Sequence, residues 1–111
     1  MTGNEYQKLA ARTINTDLTL IGQRNHALYG LAAETGEILS LYQKELQGHG
    51  APDKEHLIKE VGDTLWMIAE LLTSQKIDFD KVFETNIEKL KKRYPDGFAV
   101  ENSLNRQAND I

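Results

Sequence analysis

Apolar residues recur at every third or fourth position over most of this 111-residue chain, which is the spacing of one helix face. No stretch alternates apolar and polar residues as a half-buried strand does. The pattern predicts a short first helix over residues 4–12 and three longer helices after it. The inward faces of these three are Leu28, Leu31, Thr35, Ile38, Leu39, Tyr42 and Leu46; then Ile58, Val61, Leu65, Ile68 and Leu72; then Phe79, Phe83, Ile87, Leu90 and Tyr94.

Short connections separate these helices. Residues 48–52 form a glycine- and proline-containing turn, after which Asp53 caps the third helix. Asp78 or Asp80 caps the fourth helix, which ends at Pro95. The segment before the second helix fits either a strand or a helical lead-in. These elements predict an all-α, four-helix-type bundle.

Length and composition place the chain among small globular proteins. A chain of 111 residues holds one domain, which we assign to residues 1–98, and residues 99–111 form a polar tail. Such a tail is typical of a flexible segment or of one that lies on a partner chain. The small core favours a dimer that buries more apolar surface. The chain has no cysteine, which excludes disulfides, thiolate metal sites and a cysteine nucleophile.

The net charge and the hydropathy of the chain limit the classes of partner that it can bind. The net charge is -4, whereas proteins that bind nucleic-acid polymers are usually basic. No segment has the roughly 20 apolar residues of a membrane-spanning helix, and the N-terminus is not built like a secretory signal. We therefore expect a cytoplasmic protein whose partners include neither a membrane nor a nucleic-acid polymer.

Two pairs of acidic residues carry the strongest chemical signal. Glu34 and Glu37 lie on the second predicted helix, and Glu60 and Asp63 lie on the third. Both pairs flank the apolar face, and in an antiparallel hairpin they are level. Four facing carboxylates repel one another unless a cation neutralises them, and Mg²⁺ or Mn²⁺ suits oxygen ligands. The alternative is that they are ordinary solvated acids.

A basic stripe and one aromatic residue are further candidates for a binding site. Asn86, Lys89 and Arg93 share one side of the fourth helix, where they can bind phosphate or form a solvated basic face. Trp66 fits packing better than a base-stacking platform, although both are open. His26 and His49 are read as loop residues that can touch a ligand.

Three glycines within predicted helices suggest close approaches, because glycine in a helix interior costs about 1 kcal/mol relative to alanine. Gly36 and Gly62 point away from the acids, which predicts a close helix or subunit contact. Gly30 lies on the acidic flank, one turn before Glu34, where it leaves room for a nucleotide. We therefore expect Gly36→Leu to disturb assembly and Gly30→Leu to disturb substrate binding.

Four segments in a fixed order resemble a known family. They read GLAAETGE at residues 30–37, EVGDTLW at 60–66, NIEKL at 86–90 and RYPDGF at 93–98. This set is similar to the MazG-like nucleotide pyrophosphohydrolases of the all-α NTP pyrophosphatase superfamily. The resemblance covers about residues 25–98.

The resemblance implies Mg²⁺-dependent hydrolysis of an NTP or dNTP to the monophosphate and pyrophosphate, by a homodimer or homotetramer. It implies that four carboxylates are catalytic metal ligands and that the stripe contacts phosphates or base: Glu34, Glu37, Glu60 and Asp63, then Asn86, Lys89 and Arg93. Trp66 is kept as a further candidate substrate contact on its position in the sequence rather than on the resemblance. Two alternatives stay open. One is a non-catalytic helical dimer that binds a protein partner, and the other is a phosphoribosyl-ATP or dUTP/dCTP-specific hydrolase of the same superfamily.

Overall fold

The protein is all-α. A computed structural model describes residues 1–111 and contains five α-helices and no strand. A 3₁₀ turn (Ala11–Thr13) follows the first helix, and a π-turn (Glu45–His49) extends the second. None of the helices combines the length and apolar character needed to cross a membrane. The helices are α1 (Gly3–Ala10), α2 (Leu20–Lys44), α3 (Lys54–Ser74), α4 (Phe79–Arg93) and α5 (Val100–Leu104).

Side-chain caps fix where the four longer helices begin. The side chains of Thr2, Thr19, Asp53 and Asp78 each accept a hydrogen bond from a backbone N–H in the first turn. This confirms the cap at Asp53 and selects Asp78 over Asp80. The cap at Thr19 places the ambiguous lead-in at the start of α2, so His26 lies inside a helix and its assignment to a loop was wrong.

The predicted turn between α2 and α3 is confirmed. Gly48 and Gly50 have φ values of +91° and +84°, a backbone region that favours glycine. This turn lets α3 return along α2, and the two helices form an antiparallel hairpin that holds most of the long-range packing.

A second packing centre joins α1, α3 and α4. Ala69, Leu72 and Phe79 are buried together, and the ring of Tyr6 packs edge-on against Phe79 at 6.0 Å between centroids. The Gln7 side chain ties α1 to the start of α4: its amide N–H donates to the Ile77 carbonyl at 2.8 Å, and its carbonyl accepts from the Phe79 N–H at 3.0 Å. Helix α4 thus packs against α1 rather than along α2 or α3.

The predicted inward faces are largely exposed within the single chain. Leu39 is 66% exposed, Ile58 69% and Phe83 48%, and only nine of the 111 residues are buried. The hairpin instead packs through the flank that carries the acids, where Ala27, Leu41 and Met67 are buried. The expectation of inward apolar faces was therefore wrong for most of these residues. The radius of gyration of 17.3 Å exceeds the roughly 13 Å of a compact 100-residue domain, because apolar faces remain uncovered.

Candidate metal centre

Three of the four predicted carboxylates meet between α2 and α3. Glu34 comes from α2, and Glu60 and Asp63 come from α3. One oxygen of each lies within 4.8 Å of the others, and we call these three residues the acidic cluster. Glu34 and Glu60 are half-buried, whereas Asp63 is exposed. Glu37 lies one turn farther along α2, is exposed and falls outside this group.

The electrostatics of the cluster favour a bound cation. Burial raises the pKa of Glu34, and the negative charges of Asp63, Glu60 and Glu37 raise it further. A divalent cation would relieve this repulsion. The donor set contains only carboxylate oxygens, which are the ligands that Mg²⁺ and Mn²⁺ prefer. The residues present therefore fit such an ion.

Two neighbours of the cluster were missed by the sequence reasoning. His56 Nε2–H donates to Glu60 Oε1 at 3.2 Å, and the i, i+4 spacing of these residues is a signal that pointed to the contact. Burial raises the pKa of the phenol of Tyr6 on α1, and the negative charge of Asp63 raises it further. No sequence signal links Tyr6 to Asp63, since they come together only through tertiary packing.

Trp66 is half-buried beside the cluster on α3. Its indole Nε1–H donates to Thr13 Oγ1 at 2.6 Å, so its polar edge is used by the segment between α1 and α2. This contact accounts for an anchoring role in the fold, as the packing interpretation expects. The role of Trp66 toward a base stays a prediction.

The basic stripe lies on α4, away from the hairpin. Asn86 is exposed and Lys89 is half-buried. Arg93 donates from Nε and Nη2 to the two carboxylate oxygens of Asp110, at 2.7 and 2.6 Å. The polar tail therefore contains a helix, α5, and Asp110 contacts its own chain; contact of the tail with a partner chain stays a prediction.

A comparison with protein families shows which family the chain belongs to. Residues 23–98 match the MazG nucleotide pyrophosphohydrolase domain. The chain belongs to the MazG family. No curated protein and no solved structure matches it. The MazG domain implies the all-α NTP pyrophosphatase fold, in agreement with the five helices. Tyr6, Thr13 and Asp110 lie outside the matched region.

Within the MazG domain, Gly30 has a packing role rather than the predicted one. A Cβ atom at this position would lie 2.1 Å from Met67 Sδ. The absence of a side chain thus lets α2 approach α3, and the expectation that Gly30 leaves room for a nucleotide was wrong. Nothing lies within 4 Å of a Cβ at Gly36 or Gly62. A close helix approach within the chain is therefore not found there, while a subunit contact stays a prediction.

The line of contact between α2 and α3 continues from the cluster of this MazG domain to a buried acid. Glu70 is 3% exposed, and His26 Nδ1–H donates to its Oε1 at 2.5 Å. Along this seam, the pairs Glu34–Asp63, Gly30–Met67 and His26–Glu70 follow at intervals of one helical turn. The sequence could have indicated that Glu70 continues this line of contact, because it follows Asp63 by seven residues and so lies on the same helix face.

Proposed function

We propose that this MazG-family protein is a Mg²⁺-dependent nucleoside triphosphate pyrophosphohydrolase, with Mn²⁺ as a second possible ion. It would convert an NTP or dNTP to the monophosphate and pyrophosphate. The observation that carries the proposal is the convergence of Glu34, Glu60 and Asp63 within 4.8 Å in a domain of this family.

The carboxylates have two roles in this proposal. Glu34, Glu60 and Asp63 hold the cation, with Glu37 one turn away as the fourth acid. When bound, the metal supplies positive charge that shields the triphosphate. A carboxylate oxygen of this group accepts a proton from water as the water oxygen attacks phosphorus. The bond from this phosphorus, the α-phosphorus, to the oxygen that bridges it to the β-phosphorus then breaks, and pyrophosphate leaves with the electron pair of that bond.

The substrate contacts in the proposal come from α4 and α3. Lys89 and Arg93 bind phosphate oxygens, and Asn86 and Trp66 contact phosphate or base. Guanidinium groups suit this role because their fork can donate two hydrogen bonds to a phosphate. Trp66 lies on α3 beside the acidic cluster, whereas Asn86, Lys89 and Arg93 lie on α4, which packs against α1 and not along the hairpin.

Catalysis is tested with a panel of NTPs and dNTPs that includes dUTP, dCTP and phosphoribosyl-ATP. We expect monophosphate and pyrophosphate in equal amounts with Mg²⁺, and no turnover in excess chelator. Release of a diphosphate and inorganic phosphate would point to cleavage at another bond. No product with any nucleotide, in the presence of either ion, would contradict the proposed activity.

A melting experiment on the same preparation separates the enzyme from a non-catalytic interaction module. At 100 times its dissociation constant, a bound ion stabilises a protein by about 2.7 kcal/mol, so Mg²⁺ or Mn²⁺ should raise Tm by several degrees. Asp63→Asn should lose most of this shift. An interaction module without a metal site would show neither the shift nor turnover.

We also propose a homodimer or homotetramer assembled through the exposed apolar face of the hairpin. Leu39→Glu or Ile58→Glu should weaken self-association by more than about 100-fold, because an unpaired buried charge costs about 3–5 kcal/mol and each 1.4 kcal/mol is a factor of ten. Light scattering after size exclusion should then report monomers at micromolar concentration. The support is the exposure of Leu39 and Ile58, at 66% and 69%, in a chain with few buried residues.

One variant serves as a control for assembly. Lys59→Glu introduces a negative charge next to Ile58 on the polar side of α3, where Lys59 pairs only with Glu55, and should leave the mass unchanged. Gly36→Leu is a second test: a Cβ there has no neighbouring atom within 4 Å outside its own stretch of helix, so a lower mass would support the predicted subunit contact at this glycine. A monomeric unaltered protein would contradict the proposed assembly.

A further inference from the structure

The ion pair between Arg93 and Asp110 links the end of α4 to the last residues of the chain. Both side chains are nearly buried, at 10% and 11% exposed, although they lie at the surface end of a helix and in a terminal segment. The guanidinium meets both carboxylate oxygens, which is the forked geometry in which arginine also takes a phosphate. Asp110 thus holds Arg93 in the arrangement that a phosphate group would use.

The chain path explains how Asp110 arrives there. Helix α4 ends at Arg93, and the backbone reverses at Gly97, whose φ of +89° favours glycine. Helix α5 then runs back, and a turn from Gln107 to Asp110, closed by a 3.0 Å backbone hydrogen bond, presents the carboxylate to α4. The tail is therefore folded over the basic stripe.

A polar cavity of about 410 Å³ lies between α4 and this tail. Four cations line it, two acids balance them only in part, and side-chain amides of the tail complete the wall. The hydrogen bond from Arg93 lowers the pKa of Asp110, and the charges of Arg106 and Lys89 lower it further. Cationic side chains thus outnumber acidic ones in the wall of the cavity. The charged residues are Lys89, Lys92, Arg93 and Arg106, with Glu88 and Asp110.

We propose that the C-terminal segment is an internal competitor for phosphate: Asp110 occupies Arg93, and a polyphosphate anion must displace it to enter the cavity. The inference rests on the phosphate-binding role given to Arg93 in the proposed function. The tail thereby lowers the affinity of the resting protein for polyphosphate. Displacement of Asp110, by the ligand or by substitution, frees the Arg93 guanidinium for a phosphate group.

Binding of inorganic tripolyphosphate tests this inference without any nucleotide. Calorimetry is done in the absence of divalent metal, so that the acidic cluster and hydrolysis do not contribute. Asp110→Ala should lower the Kd for tripolyphosphate about tenfold, because apparent affinity scales with the fraction of protein in the open state. Asp96→Ala is the matched control, since Asp96 is an exposed acid near the same helix end without an ion pair.

The response of the tail itself supplies a second measurement. In the unaltered protein, ¹⁵N relaxation of residues 106–111 should change from ordered to mobile when tripolyphosphate is added. In an Arg93→Lys background the fork is lost, and Asp110→Ala should then change the Kd much less. An unchanged or raised Kd in Asp110→Ala, or a tail that stays ordered with tripolyphosphate bound, would show that the pair is only structural.

These outcomes are independent of the proposed catalysis. If Asp110→Ala binds tripolyphosphate more tightly but the protein hydrolyses no nucleotide, the role of Asp110 as a competitor is supported and the proposed hydrolase activity is contradicted. Hydrolysis with an unchanged Kd in Asp110→Ala would do the reverse.

Discussion

Asp63→Asn is expected to lower kcat/KM at least about 100-fold, since changing even an outer-shell partner of a metal ligand costs 10–100-fold. The substitution keeps the shape of the side chain and removes its charge. Asp63 is exposed, so the fold should not depend on it. Glu60→Gln should have an effect of the same order, because its oxygen lies in the same cluster. Initial rates with varied Mg²⁺ would show whether added metal restores part of the activity.

The control for these variants is Glu55→Gln on the same helix. Glu55 is an exposed acid that pairs only with Lys59, and its loss should leave turnover within a factor of two or so of the unaltered protein. If Glu37 serves as the fourth acid, the activity of Glu37→Gln should lie between that of Asp63→Asn and that of Glu55→Gln. Full activity in both Asp63→Asn and Glu37→Gln would remove the assignment of these carboxylates.

Gly30→Leu is expected to destabilise the protein by about 2 kcal/mol or more, within the range found for overpacked cores. The reason is steric: the Cβ alone would lie 2.1 Å from Met67 Sδ, and Met67 is buried. A change of this size lowers Tm by roughly 10 °C in a small domain. Thermal unfolding followed by circular dichroism measures it directly.

Two further variants show whether the contact with Met67 causes the loss of stability in Gly30→Leu. Gly36→Leu lies in the same helix with no atom within 4 Å, and should not lower the stability of the single chain. Met67→Ala in the Gly30→Leu background should recover part of the lost Tm. A stable Gly30→Leu protein with a raised KM would instead restore the idea that Gly30 leaves room for a nucleotide.

Local signals in the sequence predicted the helices well. A 3.6-residue period and a capping side chain depend on residues within one or two turns, so α3, α4 and the caps at Asp53 and Asp78 followed from the pattern. The convergence of three of the four acidic residues also followed, because a short turn fixes the register of a hairpin, whereas Glu37 falls outside the group. The resemblance on four motifs added the family, and residues 23–98 match it.

The periodicity of apolar residues could not predict which helix faces contact one another. An apolar face such as that of Leu39 and Ile58 must be covered, but the pattern does not tell whether the same chain covers it. Arg93 and Asp110 are 17 residues apart, and their pairing depends on the path of the chain beyond α4. His26 and Glu70, 44 residues apart, meet only through the packing of α2 against α3.

The contact of Gly30 with Met67 also bears on which ions the cluster can distinguish by size. It lies one turn from Glu34 on α2 and one turn from Asp63 on α3, so a change in helix spacing at Gly30 would also move the carboxylates. Mg²⁺ needs oxygens at about 2.0–2.1 Å, whereas Ca²⁺ accepts about 2.3–2.6 Å. If a methyl group at position 30 moved the helices apart instead of turning the Met67 side chain, the wider spacing would favour the ion of larger radius.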